Sequence, residues 1–278
     1  MRFNFTKMHG LGNDFVVINC ISQSVELNAK QIQFISDRHL GVGCDQLLLV
    51  ENTQDKDADF RYRIFNANGG EVEQCGNGAR CFAIFVRDEG LTDKTEIPVT
   101  TNTGRIILKI EAGEDNLVTV NMGIPELLPE KIPLIADRQN KSYTLDIEGT
   151  SVNISAVSLG NPHAVILVDD VEKLSIDKLA QGIQQSSYFP NSVNVGFMQV
   201  IDQNNIKLRV YERGVGETQA CGTGACAAVV AGHIQSLLND TVNVELLGGS
   251  LSIHWAGGQN PVMMTGATAT VFKGTISL

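Results

Sequence analysis

GEVEQCGNGA, residues 70–79, and GETQACGTGA, residues 216–225, are one motif written twice. Gly, Glu, Cys, Gly, Gly and Ala recur in register at a spacing of 146, which carries Cys75 onto Cys221. The agreement continues outward from each copy. FRYRIFN precedes the first and IKLRVYE the second, and their alternation predicts half-buried strands. RCFAIFVRDEG and CAAVVAGHIQSLLN follow and predict helices, with Gly90 and Asn239 as the expected stops. Strand, Gly-bearing loop, cysteine and helix therefore occur twice, and repetition at a fixed offset is the mark of duplicated architecture.

Further upstream, GNDFVVI from Gly12 matches GNPHAVI from Gly160, pairing Asn13 with Asn161. Gln46 then pairs with Asn194, Asn66 with Glu212 and Cys75 with Cys221, through successive gaps of 33, 20 and 9 in one half and 33, 18 and 9 in the other. Two homologous halves are implied, 1–122 and 123–265, with 266–278 expected to return and complete the first sheet. Pro-rich GIPELLPEKIP, from Gly123 to Pro133, reads as the linker between them. The remainder is short strand-like runs such as QLLLV, VTVNM, SVNISAVS and VNVEL, separated by Gly, Asn and Asp turns. That pattern predicts a mostly antiparallel α+β architecture rather than alternating βαβ units.

Composition narrows the function. The 278 residues are 43% hydrophobic with a net charge of −10, enough apolar content for a large core and the wrong charge for nucleic acid or an acidic membrane surface. No run approaches a membrane span, and RFNFTKM opens directly as a strand-like alternation, so a cytoplasmic protein acting on a small molecule is expected. Six cysteines without a C-x-x-C pair, in a chain with no H-E-x-x-H, argue for reduced thiols rather than disulfides or a metal site. Cys20, Cys44, Cys81 and Cys226 read as small buried hydrophobes.

Cys75 and Cys221 do not fit that reading, because a core thiol needs neither flanking glycines nor a helix start, and here both occur twice. A thiol at a helix N-terminus lies beside unsatisfied N–H groups and the positive end of the macrodipole, which favours thiolate. Gly76, Gly78, Gly222 and Gly224 let such N–H groups approach an anion closely. Were the halves to face one another, one thiolate could take a proton from a carbon while the other thiol delivered one to its opposite face, with no cofactor. A phosphate-binding loop is the competing reading, but the Lys of G-x-x-x-x-G-K-[ST] and the pattern G-x-G-x-x-G are missing. A serine hydrolase lacks its G-x-S-x-G.

FTKMHGLGNDFVVI, DRHLGVGCDQ, FNANGGEVEQCGNGARC, SLGNPHAV, NVGF and YERGVGETQACGTGACA together resemble the diaminopimelate epimerase family over essentially the whole chain. The resemblance implies two pseudo-symmetric domains, each a mostly antiparallel sheet or barrel wrapped around a central helix. It implies an isomerase that interconverts LL- and meso-diaminopimelate without cofactor or metal, in lysine and peptidoglycan precursor synthesis, as a homodimer. By the same resemblance Cys221 takes the proton from the LL form and Cys75 supplies one from the other side. Gly76, Asn77, Gly222 and Thr223 would hold the reacting carboxylate, while Asn13, Gln46, Asn66, Asn161, Asn194, Glu212 and Arg213 would surround the amino groups and the distal carboxylate. His163 and Glu212 would tune the thiols. Asn13 and Asn161, each beside a Gly, would alone read as turn formers, and their matched positions favour ligand contact. NANGGEV stands where NADGSEV is commoner in the family, and Cys44 where Ala is usual. Proline racemase or hydroxyproline epimerase shares the two-thiol logic, and a non-catalytic anion-binding module could use the same helix starts.

Overall fold

The computed structural model describes residues 1–72, 75–102, 104–113 and 116–278; Glu73 and Gln74 of the first motif lie outside them. They form two compact units, Met1–Asn121 with Thr265–Leu278, and Met122–Met264. In the first, the pairing runs Ala269–Ser277, Arg2–Gly10, Asn13–Asn19, Gln46–Glu51, Phe60–Asn66, Glu96–Thr101, Gly104–Ile110, Leu117–Asn121. In the second it runs Tyr143–Ile147, Thr150–Ser158, Pro162–Leu167, Asn194–Asp202, Asn205–Glu212, Thr241–Leu246, Gly249–His254. Both sheets are antiparallel except at the same two places, Asn13–Asn19 with Gln46–Glu51 and Phe60–Asn66 with Glu96–Thr101, matched by Pro162–Leu167 with Asn194–Asp202 and Asn205–Glu212 with Thr241–Leu246. A parallel pair needs a crossover rather than a tight turn. Each crossover carries a helix: α1 (Ala29–Ser36) and α2 (Gly76–Asp88) in the first unit, α3 (Asp177–Gln184) and α4 (Gly222–Ile234) in the second.

The α2 and α4 helices are the cores around which the sheets wrap. Every residue from Gly76 to Val86 is buried, as is nearly all of α4 to Gly232. α2 packs on the strands beginning at Arg2, Asn13, Gln46, Phe60, Gly104 and Leu117, and α4 on those beginning at Thr150, Pro162, Asn194, Asn205 and Gly249. α4 is apolar nearly all round, and such a helix is stable in water only inside a wrapping of this kind. At its C-terminus α2 stops as expected, with Gly90 in the left-handed region at φ 65°. α4 stops earlier than its composition suggests, at Ile234 rather than near Asn239. Ser236 takes φ 62°, Leu237 donates back to the Gly232 carbonyl at 2.9 Å, and Leu238 folds over Gly232, where a Cβ would meet it at 2.4 Å.

The Pro-rich segment also departs from expectation. It is no free linker: Glu126 and Ser158 exchange both backbone hydrogen bonds, and Ile132 is buried in the second core, as is Leu134 just beyond the segment. Its apolar residues draw it into that unit. Among the described residues no helix is long and apolar enough to cross a membrane.

Candidate active site

Each unit gathers its predicted residues at the end of the sheet from which its central helix starts. In the first, Gly10-Leu11-Gly12-Asn13 is a tight hairpin turn with Leu11 at φ 54° and Gly12 at 84°, which sets Asn13 opposite Gly10 at the head of its strand. Phe15 of that strand pairs in parallel with Gln46, and Gln46 pairs with Asn66. The Gln46 amide donates to Asn66 Oδ1 at 2.9 Å. In the second unit the equivalent register places His163 opposite Asn194, while Glu212 and Arg213 follow from the strand that pairs Tyr211 with Val195. The Asn194 amide is spanned by backbone, its Nδ2 donating to the Pro162 carbonyl at 3.2 Å and its Oδ1 accepting the Arg213 N–H at 2.8 Å.

Cys75 and Cys221 are the N-cap residues of α2 and α4, both extended. Gly76 and Asn77 form the first turn of one helix, Gly222 and Thr223 that of the other. Gly78 and Gly224 have a further role that their spacing did not suggest. A Cβ at Gly78 would stand 2.7 Å from the Tyr62 hydroxyl and 3.3 Å from Ile64, and one at Gly224 3.0 Å from Val210, the counterpart of Ile64. Both glycines let a helix start lie on its own sheet, and bare Gly224 also leaves room for Cys221 Sγ, 3.3 Å from where a Cβ would stand.

The surroundings of the two sulfurs differ. Cys75 Sγ donates to Asn13 Oδ1 at 3.6 Å, and Asn77 Nδ2 donates to the same oxygen at 3.3 Å. Cys221 Sγ lies 3.5 Å from Thr223 Oγ1, which receives Asn161 Nδ2 at 3.2 Å and meets His163 Nε2 at 3.0 Å. Burial pushes the Cys221 thiol well above its usual range, the Glu212 carboxylate pushes it further, and hydrogen bonds from Thr223 and Gly224 oppose them. The helix start therefore does not by itself yield a thiolate there, because desolvation of the charged form outweighs it. Burial also keeps His163 neutral, its pKa lowered to about 3, with the Arg213 charge acting in the same direction. Glu212 accepts from the Thr218 hydroxyl at 2.6 Å, and Arg213 Nη1 donates to the Asn191 carbonyl at 2.9 Å.

Several neighbours escaped the sequence reading. Arg80 is fully buried in α2 and donates to Asn77 Oδ1 at 2.8 Å. Asp45 accepts from Asn13 Nδ2 at 3.1 Å, and Arg38 forks onto Asp14 while also bonding Asp45. Burial works to raise the Asp14 pKa, yet the hydrogen bonds from Arg38 and Lys7 hold the carboxyl well below its usual range. The available signal was asymmetry between the repeats: Arg80 falls where the second copy has Cys226, and Phe15 where it has His163. Of the other cysteines, Cys44, Cys81 and Cys226 are buried and Cys20 is half-buried, and none of the six is in a disulfide.

The fold recurs in solved structures. A PhzF-family phenazine biosynthesis protein of Bacillus anthracis superposes with a TM-score of 0.71 at 16% identity, covering 100% of both chains. A hydroxyproline epimerase from Agrobacterium vitis does so at 0.70 and 14%, covering 100% of this chain and 93% of that one. A duplicated sheet around a central helix, with a cysteine heading that helix in each copy, defines an isomerase of the amino-acid epimerase class. The diaminopimelate epimerase family model matches residues 5–128 and 155–271. Curated diaminopimelate epimerases from Thioalkalivibrio sulfidiphilus and Teredinibacter turnerae are 58% and 55% identical, each alignment covering 100% of both chains. The chain belongs to the diaminopimelate epimerase family.

Proposed function

We propose that this protein interconverts LL- and meso-diaminopimelate by acid–base catalysis at one α-carbon, with Cys75 and Cys221 as the two proton carriers. The observation that carries the reading is the duplicated half-site: the same helix start, headed by cysteine, ringed by the same strand ends. In the LL direction Cys221, as thiolate, takes the α-proton. The electron pair moves toward the carboxylate, and the Cys75 S–H gives its proton to the opposite face. The reverse direction exchanges the roles. N–H groups at Gly76, Asn77, Gly222 and Thr223 suit the charge growing on that carboxylate, since helix starts present donors and a positive dipole end.

Asn13, Gln46, Asn66, Asn161 and Asn194 serve the amino groups, Glu212 pairs with an ammonium, and Arg213 offers its planar fork to the distal carboxylate. A substrate ammonium on Glu212 would also remove one of the two influences that keep Cys221 protonated. His163, being neutral, tunes Cys221 through the Thr223 hydroxyl rather than through charge. The product is the diamino diacid consumed in lysine and peptidoglycan precursor synthesis, which agrees with a cytoplasmic enzyme. A homodimer is supported by the closing strand Ala269–Ser277, where Val271 and Phe272 are 55% and 46% exposed.

Solvent deuterium should enter the α-carbon of diaminopimelate, and Cys75→Ser or Cys221→Ser should abolish epimerisation. Exchange into proline with diaminopimelate inert would overturn the substrate; undiminished turnover in either Ser variant would overturn the thiol pair.

A further inference from the structure

The Cys75 half-site contains a hydrogen-bond chain whose two ends are charged. At one end Arg80 Nη2 donates to Asn77 Oδ1 at 2.8 Å. A guanidinium has no acceptor, so Asn77 must turn its oxygen to Arg80 and its Nδ2 away, toward Asn13 Oδ1 at 3.3 Å. At the other end Asn13 Nδ2 donates to Asp45 Oδ2 at 3.1 Å. A carboxylate only accepts, so this end independently turns the Asn13 amide the same way. Asp45 is itself held, its Oδ2 accepting the Asp14 N–H at 3.2 Å and its Oδ1 accepting Arg38 Nη2 at 2.8 Å. The sequence leaves space for the chain: a Cβ at Gly10, the residue opposite Asn13, would stand 3.2 Å from Arg80 Nη2. The outcome is an amide oxygen, with its orientation determined twice, facing Cys75 Sγ at 3.6 Å. That oxygen accepts from an S–H and repels the lone pairs of a thiolate.

The second half keeps Asn161 for Asn13 but differs around it. Cys226 stands for Arg80, Thr223 for Asn77 and His163 for Phe15. Asn161 Nδ2 donates to Thr223 Oγ1 at 3.2 Å, and His163 Nε2 lies 3.2 Å from Asn161 Oδ1 and 3.0 Å from Thr223 Oγ1; the amide oxygen only accepts, so Nε2 is the donor and Thr223 Oγ1 accepts. The Thr223 hydroxyl proton is thereby left for Cys221 Sγ at 3.5 Å, while the Glu212 carboxylate is the acceptor beside that sulfur.

We propose that Arg80 and Asp45 are positioning residues for Cys75, holding the Asn13 amide oxygen toward its sulfur from opposite ends of one chain, so that resting Cys75 is the proton-bearing thiol. This rests on the reading of Cys75 as a proton carrier. Arg80 and Asp45 act through Asn77 and Asn13. The arrangement readies Cys75 to donate, the role it takes in the LL direction.

The test exploits donor chemistry. Lysine, like arginine, only donates, whereas glutamine can do either. Iodoacetamide labelling of each cysteine is followed by peptide mass spectrometry in the full-length protein, at one pH below the thiol midpoint. In Asp45→Asn/Arg80→Gln both ends lose their polarity, Asn13 is released to turn its Nδ2 to the sulfur, and Cys75 labelling should rise about tenfold, the change in thiolate that one pKa unit brings. Asp45→Asn/Arg80→Lys retains one donor-only end and should remain within about twofold of wild type, because either end suffices. Cys221 labelling should not change in either. Equal rises in both double variants, no rise in the Gln variant, or Cys221 rising in step would overturn the proposal.

Neutron diffraction on the wild type reads the same feature without a substitution. Deuterons on the Asn13 nitrogen facing Asp45, and one on the Cys75 sulfur, are expected; amide deuterons facing the sulfur would refute the assignment. Failure of deuterium exchange into diaminopimelate would sink the functional reading while leaving these measurements intact.

Discussion

Phe15 and His163 occupy one position of the duplicated motif, both fully buried and both paired in parallel with a site amide, Gln46 or Asn194. One unit fills that position with an apolar ring and the other with a titratable ring that stays neutral, because burial penalises the imidazolium. The consequence for stability has a definite sign. Unfolded His163 takes up a proton near its ordinary pKa of about 6.5, whereas the folded residue does so only near 3. Between those values the unfolded chain holds the extra proton, so this residue lowers stability progressively as the pH falls through that window. Relative to wild type, His163→Phe should flatten the loss of urea-midpoint stability between pH 7 and pH 4, whatever its offset at pH 7. An unchanged slope would mean that the imidazole takes up its proton as readily in the fold as in the unfolded chain. The sequence offered His163 as a tuner of thiols; only its burial shows that the tuning must be uncharged.

The two strands that deliver the site residues are braced by the same ion pair in both units. Arg63 forks onto Glu71 with both contacts at 2.8 Å, and Arg209 onto Glu217 at 2.6 and 2.9 Å. Each pair ties the strand ending in Asn66 or Glu212 to the short strand leading to the motif cysteine. Arg209 is anchored further through Nη1 to the Val171 and Leu174 carbonyls. Bidentate, partly shielded pairs of this kind exceed the ordinary surface salt bridge. A double-mutant cycle on Arg209→Met and Glu217→Gln should give a coupling of about 1 kcal/mol or more in denaturant unfolding. Coupling indistinguishable from zero would reduce the bridge to a surface decoration. At this scale the sequence was readable where patterns were long: α2, α4 and most strands announced themselves by periodicity and by Gly-bearing starts. The eight-residue α1 and α3 did not. α1 carries a capping box between Asn28 and Gln31 that could have located it, whereas α3 begins at Ile176 without any side-chain cap.

For the whole chain, the last strand belongs to the first unit, lying antiparallel to Arg2–Gly10 and bonding Leu278 to Met1 at both ends of the pair. Phe272 packs edge-on against Phe5 and remains nearly half exposed. Under the homodimer proposal such exposed apolar surface is what association would cover. Sedimentation should then give twice the 30.1 kDa chain mass, and Phe272→Asp should shift the population toward monomer. A wild-type monomer at micromolar concentration would refute the dimer.

The sequence by itself determined the duplication, the matched polar residues and the two helix-heading cysteines, because a repeated motif and its periodicities are local properties that survive in one dimension. Tertiary structure alone decided that Gly78 and Gly224 fit their helix starts to the sheet, that His163 is neutral, and that Asp45 directly and Arg80 through Asn77 act on Asn13. Burial and donor direction depend on residues brought together from distant parts of the chain. Asp45 reaches Asn13 across 32 positions and Cys75 reaches it across 62, spacings that no local pattern records.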